Sequence, residues 1–243
     1  MANITSQDWF KLDGVSCESV GLYCDTPPVQ IMAERRGQAY QVGQDEDQYK
    51  DDDSFADISF RFNCYAFFPE DFDTSAVFAY LQGRKKLTMS RNDGYYFRIR
   101  NIQCSTSEKA DGRRIKYQIT VKCAPFRYID NEEDVTITTS GAVTNNGTRY
   151  CKPVYTVALS ANYGTGALIV NGQTLTITIP QADAVSDGKI IIDAEKEMAY
   201  GTDYSNRTMQ TAGIFRFLSV GTNTVQCTGI CTGVTIKRNG RCY

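Results

Sequence analysis

The chain has 243 residues, 42% hydrophobic and 22% charged, a globular composition with room for one large all-β domain or two smaller ones. Its net charge of −2 argues against a protein that holds nucleic acid through phosphate contacts, which needs a basic face. It contains no histidine, which excludes Ser-His and Cys-His nucleophiles and removes the commonest zinc ligand.

Trp9, Phe10 and Leu12 open a short strand that stops at Asp13-Gly14, with Trp9 read as a core anchor. Val20 to Cys24 reads as a second strand before Pro27-Pro28. Val29 to Val42 is half apolar and half polar, and Gly37 in its middle suggests a hairpin tip or a bend. Between Asp45 and Asp53 stand six acidic residues and one lysine, a run read as a loop or an arm because it does not pack.

The stretch FADISFRFNCYAFF, Phe55 to Phe68, alternates strictly. Ile58, Phe60, Phe62, Cys64 and Ala66 fall on one side; Asp57, Ser59, Arg61, Asn63 and Tyr65 fall on the other. A period of two is a strand with one buried face. Pro69 ends it. A helix is expected over Thr74 to Leu81, with Asp73 as N-cap, Gly83 as C-terminal stop, and Val77, Phe78 and Leu81 on the buried face. Lys85 to Ser90, Tyr95 to Gln103 and Arg113 to Cys123 read as strands joined by Asn92-Asp93-Gly94 and Asp111-Gly112 turns. Arg98, Arg100, Arg114, Lys116 and Lys122 make one side of these strands basic, either a solvated face or an electrostatic subunit interface.

The acidic Glu132, Glu133 and Asp134 mark a boundary, so domains of 1–133 and 134–243 are expected. Beyond it the composition shifts toward Thr, Gly, Val and Ile. Strands are read at Val135–Thr139, Val154–Ser160, Gly166–Val170, Gln173–Ile179, Lys189–Ala194, Ile214–Leu218, Asn223–Cys227 and Val234–Lys237. Asn171-Gly172 between apolar runs is a type I′ hairpin signal.

The nine cysteines are odd in number, form no CxxC, and place Cys64 and Cys123 at apolar strand positions, so they read as reduced structural residues of a reducing cytosol. No signal peptide or membrane span is expected, and the Asn3, Asn146 and Asn206 sequons then carry no weight. No P-loop, dinucleotide fingerprint, HExxH, GxSxG or calcium loop occurs. No catalytic, cofactor or metal residue is assigned.

Several motifs in order resemble the distal tail (Dit) proteins of siphophages, the phage tail family. They are WFKLDGVSCESVGLYCDTPPV, the pair Arg35-Arg36 before a Gly-containing hairpin and an acidic loop, the long strand with its helix AVFAYLQG, KLTMSRNDGYYFRIRNI, IKYQITVKCAPFRYID, NNGTRYCKPVYTV, IVNGQTLTI, KIIIDAEKEMAY and VGTNTVQCTG. Each is weak alone; their order spans the chain. Cys17, Cys104, Cys242 and the final RCY depart from the family pattern.

The resemblance implies an all-β protein: an N-terminal β-sandwich (1–133) with one short α-helix and an extended hairpin arm overlapping the next subunit, then a galectin-like β-sandwich (134–243). It implies a homo-hexameric ring at the distal end of the virion tail, assembled in the host cytoplasm. Its partners are then the tail tube protein, a tail-associated hub or lysin-like protein, and receptor-binding or tail-fibre proteins, with DNA passing through and no membrane insertion. It is a structural role without cofactor or enzymatic activity. The expected subunit interface is Arg35, Arg36, Asp45, Asp47, Asp51, Asp52, Asp53, Arg61, Tyr65, Arg98, Arg100, Arg114 and Lys116. The alternative reading is a carbohydrate-binding β-sandwich adhesion protein; a glycosidase or esterase stands third.

Overall fold

A computed structural model describes residues 9–26, 28–29, 31–41, 47–67, 74–107 and 114–243. By internal contacts the chain divides after Tyr128: one unit runs to Tyr128 and takes in Tyr243, the other is Ile129–Cys242.

The first unit contains β1 (Phe10–Leu12), β2 (Val15–Ser16), β3 (Leu22–Thr26), β4 (Arg35–Gln41), β5 (Asp47–Phe55), β6 (Ile58–Phe67), α1 (Thr74–Leu81), β7 (Lys86–Met89), β8 (Tyr95–Ser107) and β9 (Arg114–Ile129). The hydrogen-bonded order is β2-β1-β7-β8-β9-β6-β3. β6 is paired along its whole length with β9, from Ile58 opposite Cys123 to Phe67 opposite Arg114. Ile58, Phe60, Phe62, Cys64 and Ala66 are all buried, as the alternation predicts.

This sheet closes over itself. β1 and β6 stand four places apart in the order, a separation of roughly 19 Å in a flat sheet at ~4.8 Å per strand. Yet the Phe10 and Phe62 rings lie 4.6 Å apart. The two ends face each other across a shared core, in the sandwich arrangement expected. Trp9 is half-buried against that core rather than central to it.

α1 covers this core with Val77, Tyr80 and Leu81, an i, i+3, i+4 stripe. Phe78 was expected inside and is 43% exposed. Tyr80 takes its place because its hydroxyl donates to the Val15 carbonyl at 2.9 Å, so the longer side chain is buried with its polar end satisfied. Gly83 stops the helix at φ 69°, a conformation favouring glycine. The expected N-cap, Asp73, lies outside the described residues.

β4 and β5 form a separate two-stranded ribbon, from Arg35 opposite Phe55 to Gln41 opposite Asp47. Of the two readings of Gly37, a hairpin tip or a bend, the tip is not found: Gly37 sits mid-strand at a register shift. The acidic run, read as a loop or an arm, is strand from Asp47 onward. Val29 and residues 31–34 are not strand, and Val29, Ile31 and Met32 are exposed.

The second unit contains β10 (Val135–Ile137), β11 (Ser140–Asn145), β12 (Val154–Leu159), β13 (Gly164–Val170), β14 (Gln173–Ile179), β15 (Lys189–Asp193), β16 (Met198–Tyr200), β17 (Thr211–Gly213), β18 (Gly221–Gly229) and β19 (Cys231–Lys237). Two five-stranded antiparallel sheets, β10-β19-β12-β15-β16 and β11-β18-β13-β14-β17, enclose one core. Asn171 and Gly172 turn β13 into β14 at φ 50° and 75°, the type I′ geometry. Ile214–Leu218 was expected as a strand. Only Leu218 bridges, to Cys151, while Ile214 is exposed and the strand stops at Gly213. β11, β16 and β17 were not anticipated.

Candidate interaction surface

The outward face of the first unit's sheet gathers the predicted charges in two groups. The first rests on β3, β6 and β9. Register places Tyr65 opposite both Tyr23 and Lys116. The Tyr65 hydroxyl donates to Asp25 Oδ2 at 3.4 Å, and the Arg114 guanidinium lies 5.6 Å from its ring centre. Arg61, opposite Thr120, is exposed. Lys122 reaches Asp57 at 3.6 Å, an ion pair open enough to water to contribute under ~1 kcal/mol.

The second group rests on β7, β8 and the end of β9. Arg98 stands 3.9 Å over the Tyr128 ring, Tyr128 stacks on Tyr96 at 5.5 Å, and Lys86 lies 4.4 Å over Tyr96. Lys86 and Arg98 are register partners, a like-charge pairing that is unfavourable by itself. Each cation instead lies on the negative face of an aromatic ring. Arg100 is exposed and lines a cleft of about 530 Å³ with Phe78, Arg84, Ile102 and Cys104. Among the described residues its wall has two arginines and no carboxylate.

The ribbon is rooted in the same face. Phe55 ends β5 and meets Phe126 edge-on at 5.0 Å; Tyr243 lies 5.9 Å from Phe126 and 6.2 Å from Phe55. The Arg35 guanidinium is 5.7 Å from the Phe55 ring, and Arg36 is exposed. Asp45 lies outside the described residues, and Asp47, Asp51, Asp52 and Asp53 are described by backbone alone. Asp52 and Asp53 fall at the register shift, between the Arg36–Ser54 and Gly37–Asp51 pairs.

The structure thus joins Tyr65 to Arg114 and Lys116, and separates them from Arg98. The aromatics Tyr96, Phe126 and Tyr128 were missed. Their signal was an aromatic in the polar phase of a strand, as Tyr96 is beside Arg98. Among the described residues no group of acidic, cysteine or histidine side chains is placed to hold a metal ion. No helix there is long and apolar enough to cross a membrane.

Two all-β units, the first carrying a ribbon and a helix, define the fold. The Dit protein of phage SPP1, described as a paradigm of the hub adsorption apparatus in phages infecting Gram-positive bacteria, superposes with a TM-score of 0.67 at 13% identity, covering 95% of this chain and 98% of that one. Chains of the phage p2 baseplate in its activated conformation, with calcium or strontium, give TM-scores of 0.47 and 0.45 at 8% and 10% identity, again over 95% of this chain and 98% of theirs. No protein-family model and no curated protein matches the chain. The chain has the fold of the SPP1 distal tail protein.

Proposed function

We propose that this chain is a structural, non-enzymatic distal tail protein of a long non-contractile-tailed phage. Six copies form a ring at the distal end of the virion tail, with residues 1–133 building the ring and residues 134–243 a galectin-like sandwich outside it. The ring joins the tail tube protein to a tail-associated hub protein and offers receptor-binding or fibre proteins a platform, while DNA passes through its centre. Assembly takes place in the host cytoplasm. The supporting observation is the end-to-end superposition on the SPP1 protein.

The ribbon supplies the ring contact. An isolated two-stranded hairpin is marginal in water and gains stability from a surface to lie on. A ring needs one face of each subunit to meet a different face of the next. The ribbon brings Asp47, Asp51, Asp52 and Asp53; the sheet face brings Arg61, Arg98, Arg100, Arg114 and Lys116. In the ring Arg61 and Tyr65 become buried. Changing Asp51, Asp52 and Asp53 together to lysine weakens assembly, read by sedimentation at low salt. Unchanged assembly there overturns the pairing.

One observation favours a second reading, saccharide binding by the second unit. Tyr204 is 85% exposed at φ 62° and stacks on Tyr200 at 6.0 Å and 15°. Its turn is held by Gly201 N–H to Ser205 O, Tyr204 N–H to Gly201 O, and Ser205 N–H to Asp203 Oδ1. Ser205 also donates its hydroxyl to Asp203, which holds that carboxyl below its usual range. A rigid ring beside carboxylates and hydroxyls suits a sugar face. Loss of glycan-array binding on Tyr204→Ala tests it; no glycan bound by the unaltered chain removes it.

A further inference from the structure

Cys24 and Cys64 are register partners on neighbouring antiparallel strands, and their sulfurs are 3.6 Å apart. Directly opposed residues in such a pair have Cα atoms ~4.5 or ~5.5 Å apart. Both values lie inside the ~4.4–6.8 Å window of disulfides, so bonding asks for side-chain rotation and no backbone shift. Neither is in a disulfide; Cys24 is 8% exposed and Cys64 is closed off.

The place matters as much as the distance. Among the described residues β3 is the edge strand of its sheet, paired with β6 alone. Its register slips after Cys24, so the thiol pair sits at the last regular step of the edge. The chain between the two cysteines contains both β4 and β5. A bond there closes a covalent loop from Cys24 to Cys64 that includes the ribbon.

We propose that Cys24 and Cys64 are an oxidation site, a dithiol that peroxide converts to a disulfide joining the edge strand β3 to β6. The Cys24 sulfur, the more exposed, attacks one peroxide oxygen; the O–O bond breaks and Cys24 becomes a sulfenic acid as water leaves. The Cys64 sulfur then attacks the Cys24 sulfur, the S–O bond breaks, and a second water leaves with the Cys64 proton. Two thiols are oxidised and one peroxide is reduced to two waters. Cys17 is the competing partner. Its thiol is hydrogen-bonded to Cys24 and buried, which pushes its pKa far above the ordinary thiol range and disfavours its thiolate. That the pair meets peroxide only once the particle has left a reducing cell rests on the tail-hub reading; the chemistry does not.

The test uses the purified full chain, treated with hydrogen peroxide, denatured, alkylated and weighed. Free thiols fall from nine to seven, and non-reducing peptide maps show Cys24 joined to Cys64. Cys17→Ser keeps that cross-link; Cys24→Ser and Cys64→Ser abolish it. The oxidised chain melts on the order of 10 °C higher, since a loop of this length is constrained in the unfolded state. Nine free thiols after peroxide oxidises a control dithiol, or a map joining Cys17 to Cys24, overturns the proposal. The map needs no variant to fold. Ring formation is scored separately, so a cross-link without a ring counts against the tail-hub reading alone.

Discussion

Phe55, the last residue of the acidic ribbon, meets Phe126 of β9 edge-on with ring centres 5.0 Å apart. This contact ties the ribbon to the sheet. Phe126 is buried and Phe55 half-buried, so the anchor belongs to the sheet and the arm is what it holds. Phe126→Ala lowers stability by about 3 kcal/mol. Hydrogen exchange at the Ser54 and Phe55 amides speeds up more than in β14. Equal change in both would show that the ring does not hold the arm.

Burial pushes the thiols of Cys123, Cys151 and Cys231 up to about 12. The unfolded chain ionises them near 9, so below pH 9 both states are protonated and stability does not depend on them. Between pH 9 and 12 the unfolded state sheds protons that the folded state keeps. Stability therefore falls as pH rises, by at most ~1.4 kcal/mol per pH unit for each thiol. Denaturant midpoints at pH 8, 9, 10 and 11 check the sign; a rise above pH 9 would contradict it.

Two glycines with positive φ separate conformational cost from steric cost. Gly172, at φ 75°, has open space where a Cβ would stand. Gly172→Ala costs about 1 kcal/mol, the left-handed penalty alone. At Gly229 the added Cβ would stand 2.4 Å from the Thr165 carbonyl oxygen, which is backbone and cannot swing away. Gly229→Ala costs clearly more, read as the difference between the two urea midpoints.

Tyr80 and Phe78 test the helix face. Tyr80→Phe removes the donor to Val15 and costs ~1 kcal/mol. Phe78→Ser, on an exposed ring, stays within ~0.5 kcal/mol in the single chain. A reversal of that order would return Phe78 to the core.

What the sequence disclosed follows burial. β6 was legible because one face is packed and the other is not, which writes a period of two. The Asn171-Gly172 turn was legible because only certain residues tolerate its φ values. The strands of the ribbon were harder to read because an acidic run carries no period-two apolar pattern, which left a loop or an arm open. Ile214–Leu218 misled because Phe215, Phe217 and Leu218 pack against the core although only Leu218 bridges to another strand. The basic residues were assigned to the outward face from alternation alone. That Tyr65 sits against Lys116, and Arg98 against Tyr128, depends on register and ring stacking, which no spacing along the chain encodes.

In the proposed assembly the ribbon of one copy lies on the basic sheet face of the next and closes a ring of six. Negative-stain imaging of the purified chain at low salt, with native mass spectrometry of the same sample, tests it most directly. The account predicts six-fold class averages and a mass six times the 27.2 kDa chain. Particles of a single chain, with no rotational symmetry at any concentration imaged, would contradict it.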